Sequence, residues 1–147
     1  MSVEPILING GIAIDDRGQL TFSNEFDISK YRRFYNLNNH TVNFVRAWHG
    51  HKKEGKAFFV QEGAFLISLV RIDNWDKPSK SCEVHRYILS AKKPSVLIVP
   101  AGFANGSMNL LPGSILTVFS TSTLEESLND DYRYESTYWN PWVVEAR

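Results

Sequence analysis

Arg46-Ala47-Trp48-His49-Gly50-His51-Lys52-Lys53-Glu54-Gly55-Lys56 decides how this chain reads, together with Pro100-Ala101-Gly102-Phe103-Ala104-Asn105-Gly106-Ser107-Met108-Asn109. Val42–His51 has the composition of a β-strand, and strand side chains alternate with period two. His49 and His51 therefore fall on one face. A turn carrying Lys52 and Lys53 follows, and Lys56 opens the next apolar segment. Two imidazoles could begin a metal site, but a divalent ion wants further imidazoles or carboxylates around it. Lys56 instead brings an ammonium, which repels a cation, so no metal is expected. Histidine, with an ordinary pKa of ~6.5, suits proton transfer near neutrality.

Strand-like segments recur at short spacing around this stretch: Leu20–Glu25, Arg32–Leu37, Val42–His51, Lys56–Gln61, Ala64–Ile72, Glu83–Ser90, Val96–Pro100, Ser107–Leu111 and Ile115–Ser122. They are rich in Val, Ile, Phe and Tyr, and turn residues punctuate them. Asp16-Arg17-Gly18, Gln61-Glu62-Gly63 and Pro112-Gly113 read as turns. Only Leu124–Asn129 has the pattern of a short helix. The spacing predicts an all-β sandwich or jelly roll, whose mouth is a natural ligand site. No repeat or linker divides residues 1–147, so one domain is expected. The aromatic end (Tyr132, Tyr134, Tyr138, Trp139, Trp142) is expected to pack on the barrel or on a second subunit.

Composition narrows the function classes. Lys plus Arg (16) balances Asp plus Glu (16), so no net field draws the chain to nucleic acid or anionic lipid. A single cysteine, Cys82, suits a reducing compartment. No apolar run reaches the ~20 residues of a membrane span, and the first residues lack the pattern of a secretory signal. The expected location is cytoplasmic.

The two quoted stretches resemble the paired signature of the cupins, His-x-His followed by Pro-x-Gly-x-x-His-x-x-x-Asn. Two ligand positions of that signature differ: Gly55 and Lys56 fall where a Glu is expected, and Asn105 replaces the second-half His. More closely, residues from about Asp15 to Trp142 resemble the metal-free cupin enzymes of nucleotide-sugar modification. Arg46-Ala47-Trp48-His49, Gly55-Lys56 and Ile98–Ala104 are similar to the dTDP-4-dehydrorhamnose 3,5-epimerases. Arg33-Phe34-Tyr35 and His49-Gly50-His51-Lys52-Lys53 are similar to the dTDP-4-keto-6-deoxyhexose 3,4-ketoisomerases. The resemblance implies a cupin-type jelly roll, a homodimer, a nucleotide-sugar substrate, no cofactor, and a role in making a surface polysaccharide such as an O-antigen. It also shows a gap: the window Thr123-Leu124-Glu125 lacks the general-acid Tyr of the epimerases.

A 4-keto sugar has acidified hydrogens on carbons 3 and 5. Epimerisation removes one and returns a proton to the other face; ketoisomerisation moves a proton from carbon 3 to carbon 4 through an enediol. Both need a base near neutrality and a donor at the carbonyl oxygen. The expected base is His49, with His51 as second acid/base or sugar contact and Lys56 stabilising the enolate. Tyr35 lies on a strand that the ketoisomerase resemblance marks as lining the site. Arg46 would clamp the diphosphate. Asn105 would touch sugar hydroxyls, and Arg17 belongs to a turn that the resemblance places near the substrate. A tail tyrosine could supply the missing acid. The expected reaction is epimerisation, with 3,4-ketoisomerisation as the alternative and a non-catalytic nucleotide-sugar binder as a third reading.

Overall fold

The computed structural model describes residues 3–147. It contains β1 (Ile6–Asn9), β2 (Gly11–Asp15), β3 (Gly18–Phe22), β4 (Arg33–Leu37), β5 (Val45–Gly50), β6 (Lys56–Glu62), β7 (Ala64–Arg71), β8 (Val84–Ser90), β9 (Ser95–Val99), β10 (Phe103–Asn109), β11 (Ile115–Ser120), a helix α1 (Leu124–Leu128) and β12 (Tyr132–Arg133). Two five-stranded antiparallel sheets face each other, in the orders β1-β9-β6-β11-β4 and β12-β5-β10-β7-β8, and β2 pairs with β3 as a separate hairpin. This is a cupin-type jelly roll in which the two sheets do not close into one barrel.

The main core lies between the sheets. Phe58, Val60, Leu97, Val99, Leu116 and Val118 point inward from one sheet, and Phe65, Ile67, Leu69, Leu89 and Phe103 from the other. A second apolar cluster covers the outer face of the second sheet, where Trp48, Leu66, Val70, Ala104 and Met108 meet Trp139 and Trp142. The run Ala64-Phe65-Leu66-Ile67-Ser68-Leu69-Val70 has no polar alternation because β7 is buried on both faces. The tail thus packs on the chain's own second sheet. Trp139 stands perpendicular to Trp48 at 5.3 Å between ring centroids, and the Trp48 indole N–H donates to the Trp139 carbonyl at 3.1 Å.

One irregularity bears on the site. On β10 the step from Asn105 to Ser107 is matched on β5 by the longer step from His49 to Arg46. The extra residue is a β-bulge, which resets the alternation of the strand. Ala47 and Trp48 both serve the outer cluster, while Arg46 and His49 both face the space between the sheets. Opposite the bulge only glycine fits: a Cβ on Gly106 would come 2.6 Å from Ala47 Cβ and 2.7 Å from the Trp142 ring.

Most sequence-read elements are found with shifted ends. The strand expected at Ser107–Leu111 begins earlier, at Phe103, because the Gly102 turn is shorter than the motif suggested. β1, β2 and the two-residue β12 were not expected. β12 is set by pairing with β5 (Tyr132 opposite Gly50, Arg133 opposite His49) rather than by its own composition.

Candidate active site

The two sheets diverge around an open cavity of about 370 Å³. One wall is built by the second sheet, with Arg46 and His49 from β5, His51 just after it, and Asn105 and Ser107 from β10. The facing wall is built by the first sheet, with Arg33, Tyr35 and Leu37 from β4, Lys56 and Phe58 from β6, and Val118 from β11. Leu124, Ser127 and Leu128 of α1, with Asp131 and Arg133, form a rim. Strand register explains the placement. His49 lies between Asn105 on one side and Arg133 on the other. Tyr35 lies opposite Val118, and Val118 opposite Phe58, two residues along the same face from Lys56.

The two histidines differ in surroundings. Among the described residues none hydrogen-bonds the His49 ring; burial, then Lys56 and Arg133, push its pKa down to about 4, against a weaker upward pull from Asp131. His51 is nearly inaccessible, at 5% exposure. Its Nδ1 lies 2.6 Å from the Asp130 carbonyl oxygen. A carbonyl can only accept, so Nδ1 carries the proton and Nε2 holds the lone pair. Burial, then Lys56, lower the His51 pKa, while the Asp130 carbonyl and Glu54 pull it back up.

Asp130 also shapes the loop below the histidines. Its carboxylate accepts the backbone N–H groups of Lys52 (2.8 Å), Lys53 (2.9 Å) and Glu54 (2.9 Å). The segment after α1 is thereby fastened to the β5–β6 turn. Glu54, 2% exposed, takes a hydrogen bond from Ser120 Oγ at 2.7 Å, and Arg33 lies 3.8 Å from the same oxygen.

On the facing wall Lys56 is 8% exposed and its Nζ donates to Tyr35 Oη at 3.2 Å. The Arg33 guanidinium lies 5.4 Å from the centroid of the Tyr35 ring. Arg46 donates to Asn39 Oδ1 at 2.7 Å, and Asn105 donates to the His49 carbonyl at 3.2 Å. Arg33, Arg46, Lys56 and Arg133 outnumber Asp131 on the cavity lining, a charge balance suited to an anion. Among the described residues, no group of three or more His, Cys, Asp or Glu is arranged to hold a metal ion.

Of the residues singled out in the sequence, His49, His51, Lys56, Tyr35, Arg46 and Asn105 share this cavity. Arg17 does not: it sits at the tip of the β2–β3 hairpin, highly exposed and ion-paired with Asp15. Nor does the tail supply an acid to it. Tyr134 donates to the Trp75 carbonyl at 2.7 Å, Tyr138 to the Pro78 carbonyl, and Tyr132 packs on Trp75. These contacts lie with the outer cluster, where the tail tryptophans draw the chain. Sequence reasoning missed Glu54, Asp130, Asp131 and Arg133. An acidic pair, Asp130-Asp131, just after a helix was the available signal, but its partners lie nearly eighty residues away.

No protein-family model matches the sequence, and neither does any curated protein. Solved structures do resemble it in fold. A dTDP-4-dehydrorhamnose 3,5-epimerase from Bacillus anthracis, with TDP and pyrophosphate bound, is similar at 22% identity over 97% of this chain and 87% of that one, with a TM-score of 0.76. The QdtA 3,4-ketoisomerase from Thermoanaerobacterium thermosaccharolyticum, in complex with TDP, is similar at 22% identity over 94% and 93%, with a TM-score of 0.67. A 3'-monoepimerase from Streptomyces bikiniensis, in complex with dTDP-quinovose, is similar at 16% identity over 92% and 72%, with a TM-score of 0.71. At these identities the likeness is one of fold, shared with both branches of nucleotide-sugar isomerase.

Proposed function

We propose that the chain is an epimerase of a nucleoside-diphosphate 4-keto-6-deoxyhexose. The observation that carries this reading is the division of the cavity: the histidines come from one sheet, and the Tyr35–Lys56 pair from the sheet facing it. Epimerisation needs a base on one side of the sugar ring and an acid on the other. A histidine of the β5 pair takes the proton beside the ketone, and the C–H electrons move onto the carbonyl oxygen as an enolate. The Lys56 ammonium is placed to stabilise that charge. Tyr35 returns a proton from the opposite side, inverting the carbon, and the histidine's proton passes to solvent as Tyr35 is reprotonated. No net redox change occurs, and none of these steps calls for a cofactor. Arg33, Arg46 and Arg133 offer bidentate donors for the diphosphate, and Asn105 and Ser107 offer contacts for sugar hydroxyls.

A 3,4-ketoisomerase is the second reading, favoured by one observation. His49 and His51 share a strand face, which suits carrying a proton from carbon 3 to carbon 4 along one side of the ring. Product analysis by NMR of dTDP-4-keto-6-deoxyglucose treated with the protein separates the readings. An inverted carbon supports the epimerase; a ketone moved to carbon 3 replaces it with the ketoisomerase. An unchanged sugar, bound and released, would leave a nucleotide-sugar binder.

The protein is proposed to act in the cytoplasm, in supplying a sugar for a surface polysaccharide. It is also proposed to work as a homodimer. Exposed Ile14 and Leu20 on the hairpin and exposed Phe34 on the outer face of the first sheet support self-association; sedimentation equilibrium would show it as a two-chain mass.

A further inference from the structure

Among the described residues, four buried side-chain polar atoms have no hydrogen-bond partner: Ser23 Oγ, Ser68 Oγ, His51 Nε2 and Glu54 Oε1. Two of the four sit on neighbouring side chains: Glu54 Oε1 lies 3.6 Å from the other ring nitrogen of His51, Nδ1. A carboxylate carried into the interior with one oxygen unused is costly unless a charge arrives to meet it. The other oxygen is fixed by Ser120 Oγ at 2.7 Å. Its backbone N–H is fixed by Asp130 at 2.9 Å. The side chain therefore cannot swing away to water, and the free oxygen stays against the imidazole.

We propose that Glu54 is a positioning residue for His51, holding its ring in the Nδ1–H form and balancing the positive charge that appears when Nε2 takes a proton. The inference rests on the enolisation reading and assigns the base within it. Proton uptake at Nε2 turns the ring into an imidazolium whose Nδ1–H lies between the Asp130 carbonyl and Glu54 Oε1. After turnover the proton passes to solvent. His49 has no such support. The carboxylate near it, Asp131, is tied to Arg133 at 3.0 Å, and its other charged neighbours are the cations Lys56 and Arg133. Around His51 the opposing group is Lys56 from β6, with Glu54 and Asp130 on the favourable side and His49, at the end of β5, as the neighbouring titratable group. Arg33 stands behind Glu54 on its far oxygen. On this proposal His51 is the base of the pair and His49 its neighbour.

Glu54→Gln tests this by removing the charge while keeping an acceptor for Ser120. Nitrogen NMR of the imidazoles, titrated on the substrate-free protein, is expected to show the His51 midpoint at lower pH in Glu54→Gln than in the wild type. With substrate, kcat is expected to fall roughly tenfold with KM within about twofold, and Glu54→Asp, which retains the charge, to recover part of the loss. An unmoved His51 midpoint overturns the proposal, as does a loss that appears in KM alone. Should Glu54→Gln fail to fold, the same titration on Glu54→Asp decides it, with a smaller downward move expected and no move contradicting it. The titration needs no substrate. A wild type that never exchanges a sugar hydrogen would overturn the enolisation reading and the role of Glu54 in turnover. An active wild type with an unmoved midpoint would remove Glu54 alone.

Discussion

Lys56 Nζ donates to Tyr35 Oη at 3.2 Å, joining β6 to β4 across the intervening β11. An ammonium that donates to a phenol oxygen stabilises the phenolate left when the phenol gives up its proton. The pair therefore supplies both functions that the histidine wall lacks, a positive charge for the enolate and a proton from the other side. Tyr35→Phe should uncouple these steps. Hydrogen exchange with deuterium oxide, which needs only the base, should persist, while formation of the inverted product falls ~100-fold or more. Equal loss of both would remove Tyr35 from the role of acid.

His49 should respond to an anion in the cavity. Its pKa of about 4 reflects burial and the cations Lys56 and Arg133. A bound diphosphate adds negative charge beside those cations, and negative charge favours the protonated ring. Titration by NMR should therefore place the His49 midpoint higher with dTDP bound than without it. A midpoint unchanged by saturating dTDP would mean that the nucleotide does not bind against these cations.

The same depressed value couples folding to pH. Unfolded histidine titrates at ~6.5, so between that pH and about 4 the unfolded chain binds the proton that folded His49 refuses. The stability this group contributes is full above ~6.5 and is lost as pH falls toward about 4. The urea midpoint should drop between pH 7 and pH 4.5, and drop less in His49→Asn. An identical drop in both proteins would show that His49 is not held neutral in the fold.

Two predictions concern the scaffold. Trp139 is 3% exposed and packs on Trp48, so Trp139→Ala should cost about 3 kcal/mol, measured by urea unfolding. Asp130→Ala strips acceptors from three backbone N–H groups and should cost about 2 kcal/mol. It should also lower activity, because the β5–β6 turn that carries His51 loses its anchor. A destabilisation under about 0.5 kcal/mol for either variant, the size of an ordinary surface change, would contradict these contacts.

How far the sequence foretold the site depends on the range of the forces that set each residue. His49 and His51 were placed correctly by strand alternation, a local property. Arg46 breaks that alternation, and it reaches the cavity only through the bulge opposite Gly106. The resemblance pointed to it; periodicity would have turned it outward. Lys52 and Lys53 read as a turn, yet the next residue, Glu54, is buried because Asp130, far along the chain, gathers the backbone of that turn. The tail's aromatic content foretold that it packs, but not that the outer face of the second sheet would take it. Arg17 was drawn to the substrate by resemblance and lies instead at an exposed hairpin tip.

The most direct measurement is a proton NMR time course of dTDP-4-keto-6-deoxyglucose with the protein in deuterium oxide, run beside His49→Asn and His51→Asn. Enolisation by the histidine pair predicts loss of the hydrogen signal at carbon 3 or carbon 5 in the wild type, with deuterium at the inverted carbon. The loss should be at least ~100-fold slower in His51→Asn. Retention of every sugar hydrogen by the wild type, or exchange at full rate in His51→Asn, would contradict the account.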